Sequence, residues 1–220
     1  MKKIYITIPI FILVSCITLL FQKYASIKGE NINIIRNKNV NLGKLPDIIH
    51  DNTPDLSKYS NIADRIIKVY IILFCILIFN NNNKKYEIIN NSLLIISIIL
   101  FLRIIMFSST ILPSINTNCH IIKNKIYKKP FLSLVSDFVI QKYKIGYCND
   151  YIFSGHNAIY ILITLMILYY NLIPFISTSI LIGLTIVYSI FTIICRNHYT
   201  IDIIISYFIT YGIFTIYYNM

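Results

Sequence analysis

Two short strings contain the side chains with the clearest chemical potential. The first ends in Ser154-Gly155-His156 and the second is His198-Tyr199-Thr200-Ile201-Asp202, so the two histidines are 42 residues apart. Each string lies at the edge of a long apolar run, and one membrane-spanning helix takes about 20 residues. The spacing therefore predicts that both histidines lie at the same membrane face. Two histidines with a carboxylate one helical turn after the second form a candidate phosphoryl-transfer site.

His198 and Asp202 are four residues apart at the predicted start of the last apolar run. On a helix this spacing places both side chains on one face, within reach of each other. The carboxylate is predicted to hold one imidazole nitrogen and fix the tautomer, so that the other nitrogen can attack phosphorus. The alternative is a polar pair that snorkels at a helix end, but an acid inside a membrane span is costly enough to favour function.

His156 follows Ser154 and Gly155 at the predicted start of another apolar run. A glycine lets a ligand approach the backbone closely, and the N–H groups of a helix start favour phosphate. We expect Ser154 to add a hydroxyl donor, and His156 to protonate a leaving alkoxide or deprotonate an incoming alcohol. By itself, His156 is equally consistent with an ordinary interfacial histidine.

Other polar residues have a functional and a plainer interpretation. Arg103, near the end of an apolar run, either snorkels towards water or clamps phosphate oxygens with two hydrogen bonds. Asp47 is most simply a helix cap or a surface charge, and His50 and His120 are predicted to be surface residues. A zinc site is an alternative for the histidines, aspartate and nearby cysteines, but the paired spacings of zinc motifs are missing. We therefore expect no metal and no other cofactor.

The composition of the chain indicates a membrane protein. The chain has 220 residues, is 56% hydrophobic and has a mean hydropathy of +0.67, which fits a polytopic membrane protein. Its net charge of +11 would suggest nucleic-acid binding in a soluble protein, but the charges lie between apolar runs and no basic helix is apparent. We therefore expect membrane lipids and phosphate-bearing substrates as partners, and no nucleic acid.

Six apolar runs predict an all-α, polytopic membrane protein with six transmembrane helices in a single domain, 1–220. The predicted spans are roughly 4–21, 66–79, 88–107, 158–172, 173–194 and 201–218. A cleaved signal peptide is the alternative for the first run, but that run is long and a small-residue cleavage site is missing. Six spans place both long loops, 22–65 and 108–155, on one face with Asp47, Arg103, Asp150, both histidines and Asp202. That face carries 16 of the 20 Lys and Arg residues, so the positive-inside rule predicts that it is cytoplasmic.

Four ordered segments resemble the motifs of sphingomyelin synthases and their relatives, within the lipid phosphatase/phosphotransferase superfamily. They are Leu45-Pro46-Asp47, Arg103 to Pro113 with Asn118-Cys119, Cys148-Asn149-Asp150 to His156, and His198 to Thr210. The last segment is the most specific. Asn149 and Asn157 depart from the family pattern, which has Gly and Thr at these positions, and we expect such departures to affect headgroup choice.

The resemblance implies a six-span fold and transfer of a phospho-headgroup, most simply phosphocholine, from a glycerophospholipid donor to a ceramide acceptor. It implies that the catalytic triad is His156, His198 and Asp202. We expect four further residues to contact the phosphate or headgroup: Arg103, Ser154, Asp150 and Tyr199. The resemblance also implies a lumenal or exoplasmic active site in the Golgi or plasma membrane, against the positive-inside count.

Several alternatives stay open. The transferred group could be ethanolamine phosphate or inositol phosphate instead of phosphocholine. A lipid phosphate phosphatase is disfavoured because Lys129-Pro130 lacks the arginine of the phosphatase motif, and Thr192 stands where a second arginine is expected. An inactive lipid-binding membrane protein is disfavoured because all three catalytic positions are intact. The oligomeric state is not predicted, and pairing of Cys119 with Cys148 is expected only if their face is lumenal or extracellular.

Overall fold

The computed structural model describes residues 4–39, 45–81, 83–113, 115 and 151–219. Within these ranges the chain is helical, with turns between the helices and no strand. The helices are α1 (Ile4–Asn39), α2 (Ile48–Asn52), a 3-10 turn (Ser57–Tyr59), α3 (Ser60–Asn80), α4 (Lys85–Ser109), α5 (Gly155–Tyr169), α6 (Phe175–Ile194) and α7 (Thr200–Asn219). The predicted all-α class is confirmed for the part of the chain described.

Four of the described helices are long and apolar enough to cross a bilayer: α1 over Tyr5–Gly29, α4, α6 and α7. The other two predicted spans fall short of this criterion. The first three turns of α3 carry Asp64, Arg65 and Lys68. The 15 residues of α5 span about 22 Å, less than the roughly 30 Å of a hydrocarbon core. The helices indicate an integral membrane protein, and six spans are not confirmed.

The first helix extends far beyond its predicted end. We expected a span over 4–21 followed by a long loop, whereas α1 continues to Asn39. Tertiary packing explains the extension, because α1 packs along α4 and fully buried Ala25 contacts Ile104 and Phe107 of that helix. A polar stretch without proline then continues an existing helix at little cost per residue.

Helix α5, the shortest of the helices that correspond to the six predicted spans, lies at the centre of the bundle. It packs against α3, α4, α6 and α7, and nine of its 15 residues are buried. The Tyr160 ring is stacked between those of Tyr70 and Tyr188, with centroids 3.9 and 4.4 Å away. The Thr164 hydroxyl lies 2.9 Å from both the Tyr70 and Thr185 hydroxyls. These contacts hold α5 against α3 and α6, and thereby fix the position of His156 at its start.

A hydrogen-bonded group, called here the tyrosine cluster, closes one end of the bundle. Its members come from the start of α4 and the ends of α5 and α7: Glu87, Asn91, Tyr170, Tyr217 and Tyr218. The Tyr170 hydroxyl donates to Glu87 Oε1 at 3.0 Å and accepts from Asn91 Nδ2 at 2.8 Å. Tyr217 donates to Asn91 Oδ1 at 2.8 Å, and Tyr218 donates to the Tyr170 hydroxyl at 3.2 Å. Since α5 and α7 run in the same direction, their starts, with both histidines, lie at the opposite end.

Candidate active site

The starts of α5 and α7 are tied together by buried serines. Ser154 caps α5, because its Oγ accepts the Asn157 N–H at 3.2 Å. The Ser154 N–H donates to the Asp202 carbonyl at 3.3 Å. Ser206 Oγ lies 3.1 Å from the Ser154 carbonyl and 2.7 Å from the Asp202 carbonyl. The two strings therefore meet, as their spacing predicts. The contact of Ser154 with phosphate stays a prediction, since the structure uses its oxygen as a helix cap.

Asp202 is the most completely buried acid of the site, with 0% exposure, and it accepts three hydrogen bonds. Its Oδ2 lies 3.3 Å from His198 Nδ1 and accepts the Tyr199 N–H at 3.0 Å. Its Oδ1 accepts the Ile152 N–H at 2.9 Å. A buried carboxylate needs such donors to offset the loss of water. Because Asp202 engages Nδ1, Nε2 is the nitrogen of His198 that is oriented for attack.

His156 is the second residue of α5 and is partly exposed. It lies within electrostatic range of His198, Arg103 and Lys68. The two histidines and Arg103 therefore belong to one group, as the span count predicts. Lys68 of α3 is an exposed cation near this group that the sequence motifs did not single out.

Arg103 is buried in the bundle, with 4% exposure, instead of snorkelling into water. Its Nε donates to the Phe153 carbonyl at 3.1 Å, and its guanidinium lies 5.3 Å from the centre of the Phe107 ring. A Cβ atom on Gly155 would lie 3.0 Å from Arg103 Nε and 3.3 Å from Cζ. Gly155 therefore lets the guanidinium lie against the start of α5, beside His156.

Asp47 is a helix cap, as the plainer interpretation predicts, but it caps two helices. Its Oδ1 accepts the N–H groups of Ile49 and His50 in α2, both at 3.1 Å. The same oxygen accepts the Thr200 hydroxyl at 2.7 Å, and Oδ2 accepts the Thr200 N–H at 2.6 Å. Burial acts to raise the pKa of Asp47, but the hydrogen bonds from Thr200 and His50 outweigh it and the pKa lies below its usual value.

His50 is not an isolated surface residue, so that prediction was wrong. Its half-buried ring donates from Nε2 to the His198 carbonyl at 3.2 Å, and its centroid lies 5.7 Å from that of Tyr199. Arg196 Nη2 donates to the carbonyls of His50 and Thr53, both at 2.8 Å. Burial, together with the positive charge of Arg196, lowers the pKa of His50 despite the opposing effect of Asp47. No local pattern links residue 50 to residue 198, so sequence reasoning had no signal for this contact.

Tyr199 contacts all three of the other resembling segments, and its ring centroid lies 5.4 Å from that of Tyr151 in the third. Its hydroxyl donates to the Pro113 carbonyl at 3.2 Å and accepts the Leu45 N–H at 3.4 Å. The side chain is nearly inaccessible, with 2% exposure, and burial raises its pKa to about 12. These contacts give Tyr199 a structural role. Its predicted contact with the headgroup stays a prediction.

Asn157, one of the two departures from the family pattern, faces α6 in the structure. It is fully buried, and its Oδ1 accepts the Ser189 hydroxyl at 2.7 Å. Its Nδ2 has no hydrogen-bond partner among the described residues. The other departure, Asn149, lies outside the described residues, as do Asp150, His120, Cys119 and Cys148. In the part of the chain described, no group of three or more His, Cys, Asp or Glu residues is arranged to hold a metal ion.

A comparison with protein families finds one match. The family model described as PAP2 superfamily C-terminal matches residues 147–220. This range holds His156, His198 and Asp202, whereas Asp47 and Arg103 lie before it. The match supports the lipid phosphatase/phosphotransferase superfamily and does not single out the sphingomyelin synthases within it. A comparison with curated proteins finds no match.

Proposed function

We propose that the chain is a membrane phosphotransferase that moves a phospho-headgroup from a glycerophospholipid to ceramide through a phosphohistidine intermediate. The observation that carries the proposal is the buried His198–Asp202 pair, 3.3 Å apart, with His156 within electrostatic range. A histidine held by a carboxylate is an oriented nucleophile, and a second histidine beside it can exchange a proton with an alcohol. The superfamily match fits this class of chemistry.

In the first step His198 Nε2 attacks the phosphorus of the donor lipid. A P–N bond forms while the bond from phosphorus to the diacylglycerol oxygen breaks. His156, in its protonated form, gives its proton to the departing oxygen, so diacylglycerol leaves as a neutral alcohol. The Asp202 carboxylate, still bound to Nδ1, stabilises the positive charge that the His198 ring acquires.

In the second step the primary hydroxyl of ceramide attacks the same phosphorus. His156, now neutral, takes the hydroxyl proton, a new P–O bond forms, and the P–N bond breaks. His198 leaves as the neutral imidazole and the cycle can repeat. The products are a sphingophospholipid and diacylglycerol, and the number of phosphodiester linkages is unchanged.

Arg103 and the N–H groups at the start of α5 are assigned the role of stabilising the negative charge on the phosphoryl oxygens. Preorganised donors aimed at developing charge often supply the largest part of catalysis. The Nε bond from Arg103 to the Phe153 carbonyl supports this assignment, because it holds the guanidinium beside the helix start. A helix start adds the positive end of its dipole.

Ceramide as acceptor and phosphocholine as headgroup rest on the four ordered segments from Leu45 to Thr210. Ethanolamine phosphate and inositol phosphate are the alternatives for the headgroup. The same resemblance supports a lumenal or exoplasmic site in the Golgi or plasma membrane. The 16 Lys and Arg residues on that face argue for the opposite orientation.

The test is an assay of purified protein in liposomes with labelled ceramide. Phosphatidylcholine, phosphatidylethanolamine and phosphatidylinositol are supplied in separate reactions, and His198→Ala is run beside the wild type. We expect a labelled sphingophospholipid with at least one donor and none with His198→Ala. Undiminished product from His198→Ala, or no product with any donor, would overturn the proposal.

The second candidate is a lipid phosphate phosphatase, in which water replaces ceramide as the acceptor. The superfamily match fits this reaction equally well, because it covers both phosphatases and phosphotransferases. Phosphatidate supplied alone distinguishes the two. Release of inorganic phosphate, without transfer from any of the three donors to ceramide, would establish the phosphatase instead.

A further inference from the structure

One short segment holds the turn that carries His198. The segment is residues 45–53, called here the brace, and the turn is residues 196–200, called here the histidine turn. Arg196 binds the His50 and Thr53 carbonyls, and the His198 carbonyl accepts from His50. Tyr199 and Thr200 bind Leu45 and Asp47, respectively. The brace therefore binds the histidine turn on both sides of His198, 143 to 154 residues away in sequence.

Asp47 supplies the contact on the C-terminal side of His198. Its two oxygens accept four hydrogen bonds, two from the start of α2 and two from Thr200. A carboxylate has two accepting oxygens, whereas an asparagine side chain has one and presents an NH₂ group in place of the other. Only a carboxylate can therefore cap α2 and accept the Thr200 N–H at the same time.

His50 supplies the contact at His198 itself. Its Nε2 donates to the backbone carbonyl of His198, and its ring packs against that of Tyr199. The direction of this bond is set by the acceptor, because a carbonyl cannot donate. Arg196 in turn binds the His50 carbonyl, so the ring of His50 is attached to a fixed piece of backbone.

We propose that Asp47 and His50 are positioning residues for His198. They hold the backbone on both sides of the His198 ring and do not touch the substrate. The inference rests on the proposed function. In that cycle His198 must attack and then leave the same phosphorus, so its ring needs one orientation through two displacements. A misplacement of about 1 Å can cost about 10²-fold in rate, even when it arises away from the reacting atoms.

The first test is Asp47→Asn, measured for kcat and KM in the ceramide assay. Asparagine caps α2 about as well as aspartate, so the loss falls on the Thr200 N–H. We expect kcat to fall about 10- to 100-fold while KM changes less than about twofold, because binding groups are untouched. The matched control is Asp55→Asn, which lies outside the brace. Asp55 is exposed and its Oδ1 accepts the Ser57 N–H at 2.8 Å, a bond that asparagine can keep, so we expect this variant to stay within about twofold of the wild type. Equal kcat for the two variants would overturn the proposal. A change in KM as large as the fall in kcat would overturn it as well.

The second test distinguishes two features of the His50 side chain: its N–H donor and the ring that packs against Tyr199. His50→Gln keeps an N–H donor at a similar reach, whereas His50→Phe keeps the ring against Tyr199 and removes the donor. We expect Gln to retain kcat within about threefold and Phe to lose about tenfold, since one oriented hydrogen bond is removed. Equal activity of the two variants would contradict a role for the bond to the His198 carbonyl.

A third measurement does not depend on turnover. Diethyl pyrocarbonate modifies accessible neutral imidazoles, and mass spectrometry gives the ratio of modification at His198 to that at His156. We expect this ratio to change at least threefold in Asp47→Asn and to stay unchanged in Asp55→Asn. If the wild type transfers no headgroup, the proposed function fails while this ratio still decides the positioning role. An unchanged ratio in Asp47→Asn would overturn that role.

Discussion

The bundle has a polar network at each end, and the two networks are built differently. The tyrosine cluster binds α4, α5 and α7 through side chains that satisfy one another, mostly neutral hydroxyl and amide groups. The histidine end, formed by residues 45–60, 103–113, 151–157 and 194–206, binds many of the same helices through charged side chains and backbone groups. The first arrangement is typical of a stabilising contact, and the second of a site that handles charge.

Buried groups without a hydrogen-bond partner among the described residues occur at both ends, but they differ in kind. Asn157 Nδ2 and Arg196 Nη1 lie close to the candidate site, whereas Ser92 Oγ follows Asn91 of the tyrosine cluster in α4. An unpaired buried donor costs roughly 1–3 kcal/mol, and more when it is charged. The guanidinium nitrogen at the histidine end is therefore the costliest of the three.

The largest expected effect comes from removing the nucleophile. His198→Ala should reduce headgroup transfer by at least about 10³-fold, because no other group can form the covalent intermediate. The matched change at the other end is Tyr170→Phe, which should leave kcat within about twofold. Transfer rates of both variants in the same liposomes check the comparison. A large loss of kcat in Tyr170→Phe would mean that the two ends do not have separate roles.

A smaller loss is expected when the shape of a cation is changed but its charge is kept. Arg103→Lys should lower kcat about 10- to 100-fold, since lysine cannot present two parallel N–H groups to a phosphate. The control is Arg65→Lys on exposed α3 surface, which we expect to be neutral. Kinetics of the two variants with one donor lipid make the measurement, and equal values would remove Arg103 from the site.

Gly155→Ala also tests the position of Arg103, but by a smaller displacement and without changing the arginine itself. The added Cβ would lie 3.0 Å from Arg103 Nε, so the guanidinium must move by a few tenths of an ångström. We expect kcat to fall about 3- to 10-fold, a fraction of the cost of a 1 Å misplacement. Gly183→Ala is the control, because its Cβ would meet nothing within 4 Å. If both alanines behave alike, the position of Arg103 does not matter to the reaction.

The tyrosine cluster should show the opposite pattern, with a loss of stability and no loss of rate. Tyr170→Phe removes the donor to Glu87 and the acceptor of Asn91, so we expect about 1–3 kcal/mol of destabilisation. Thermal unfolding in detergent gives the change. An unchanged unfolding temperature would show that the cluster adds nothing to stability.

The smallest effect is a pH dependence of stability from His50. Its pKa in the folded protein lies below 6.5, so between the two values the unfolded chain binds more protons. The resulting stability is present above pH 6.5 and is lost as the pH falls towards the folded-state pKa. Thermal midpoints between pH 7.5 and 5 should therefore fall more steeply for the wild type than for His50→Gln. Parallel curves would contradict the lowered pKa of His50.

Local rules predicted those parts of the molecule that depend on neighbours in sequence. The apolar runs predicted spans over 88–107, 173–194 and 201–218, and α4, α6 and α7 match them within about three residues. The four-residue spacing predicted the His198–Asp202 contact, but not its geometry, because His198 lies in the turn before α7 and not on the helix itself. Contacts between distant segments had no such signal. The extension of α1 depends on packing against α4, and the bonds of Asp47 and His50 join residues about 150 apart.

The central claim is the covalent intermediate on His198, and trapping it is the most direct test. The purified protein is mixed with the donor lipid that supports transfer, without ceramide, then quenched, digested and examined by mass spectrometry. We predict a headgroup phosphate on the peptide that contains His198, and a burst of about one diacylglycerol per protein molecule. His198→Ala should give neither. A modified residue other than His198, or the absence of adduct and burst in a preparation that transfers to ceramide, would contradict the account.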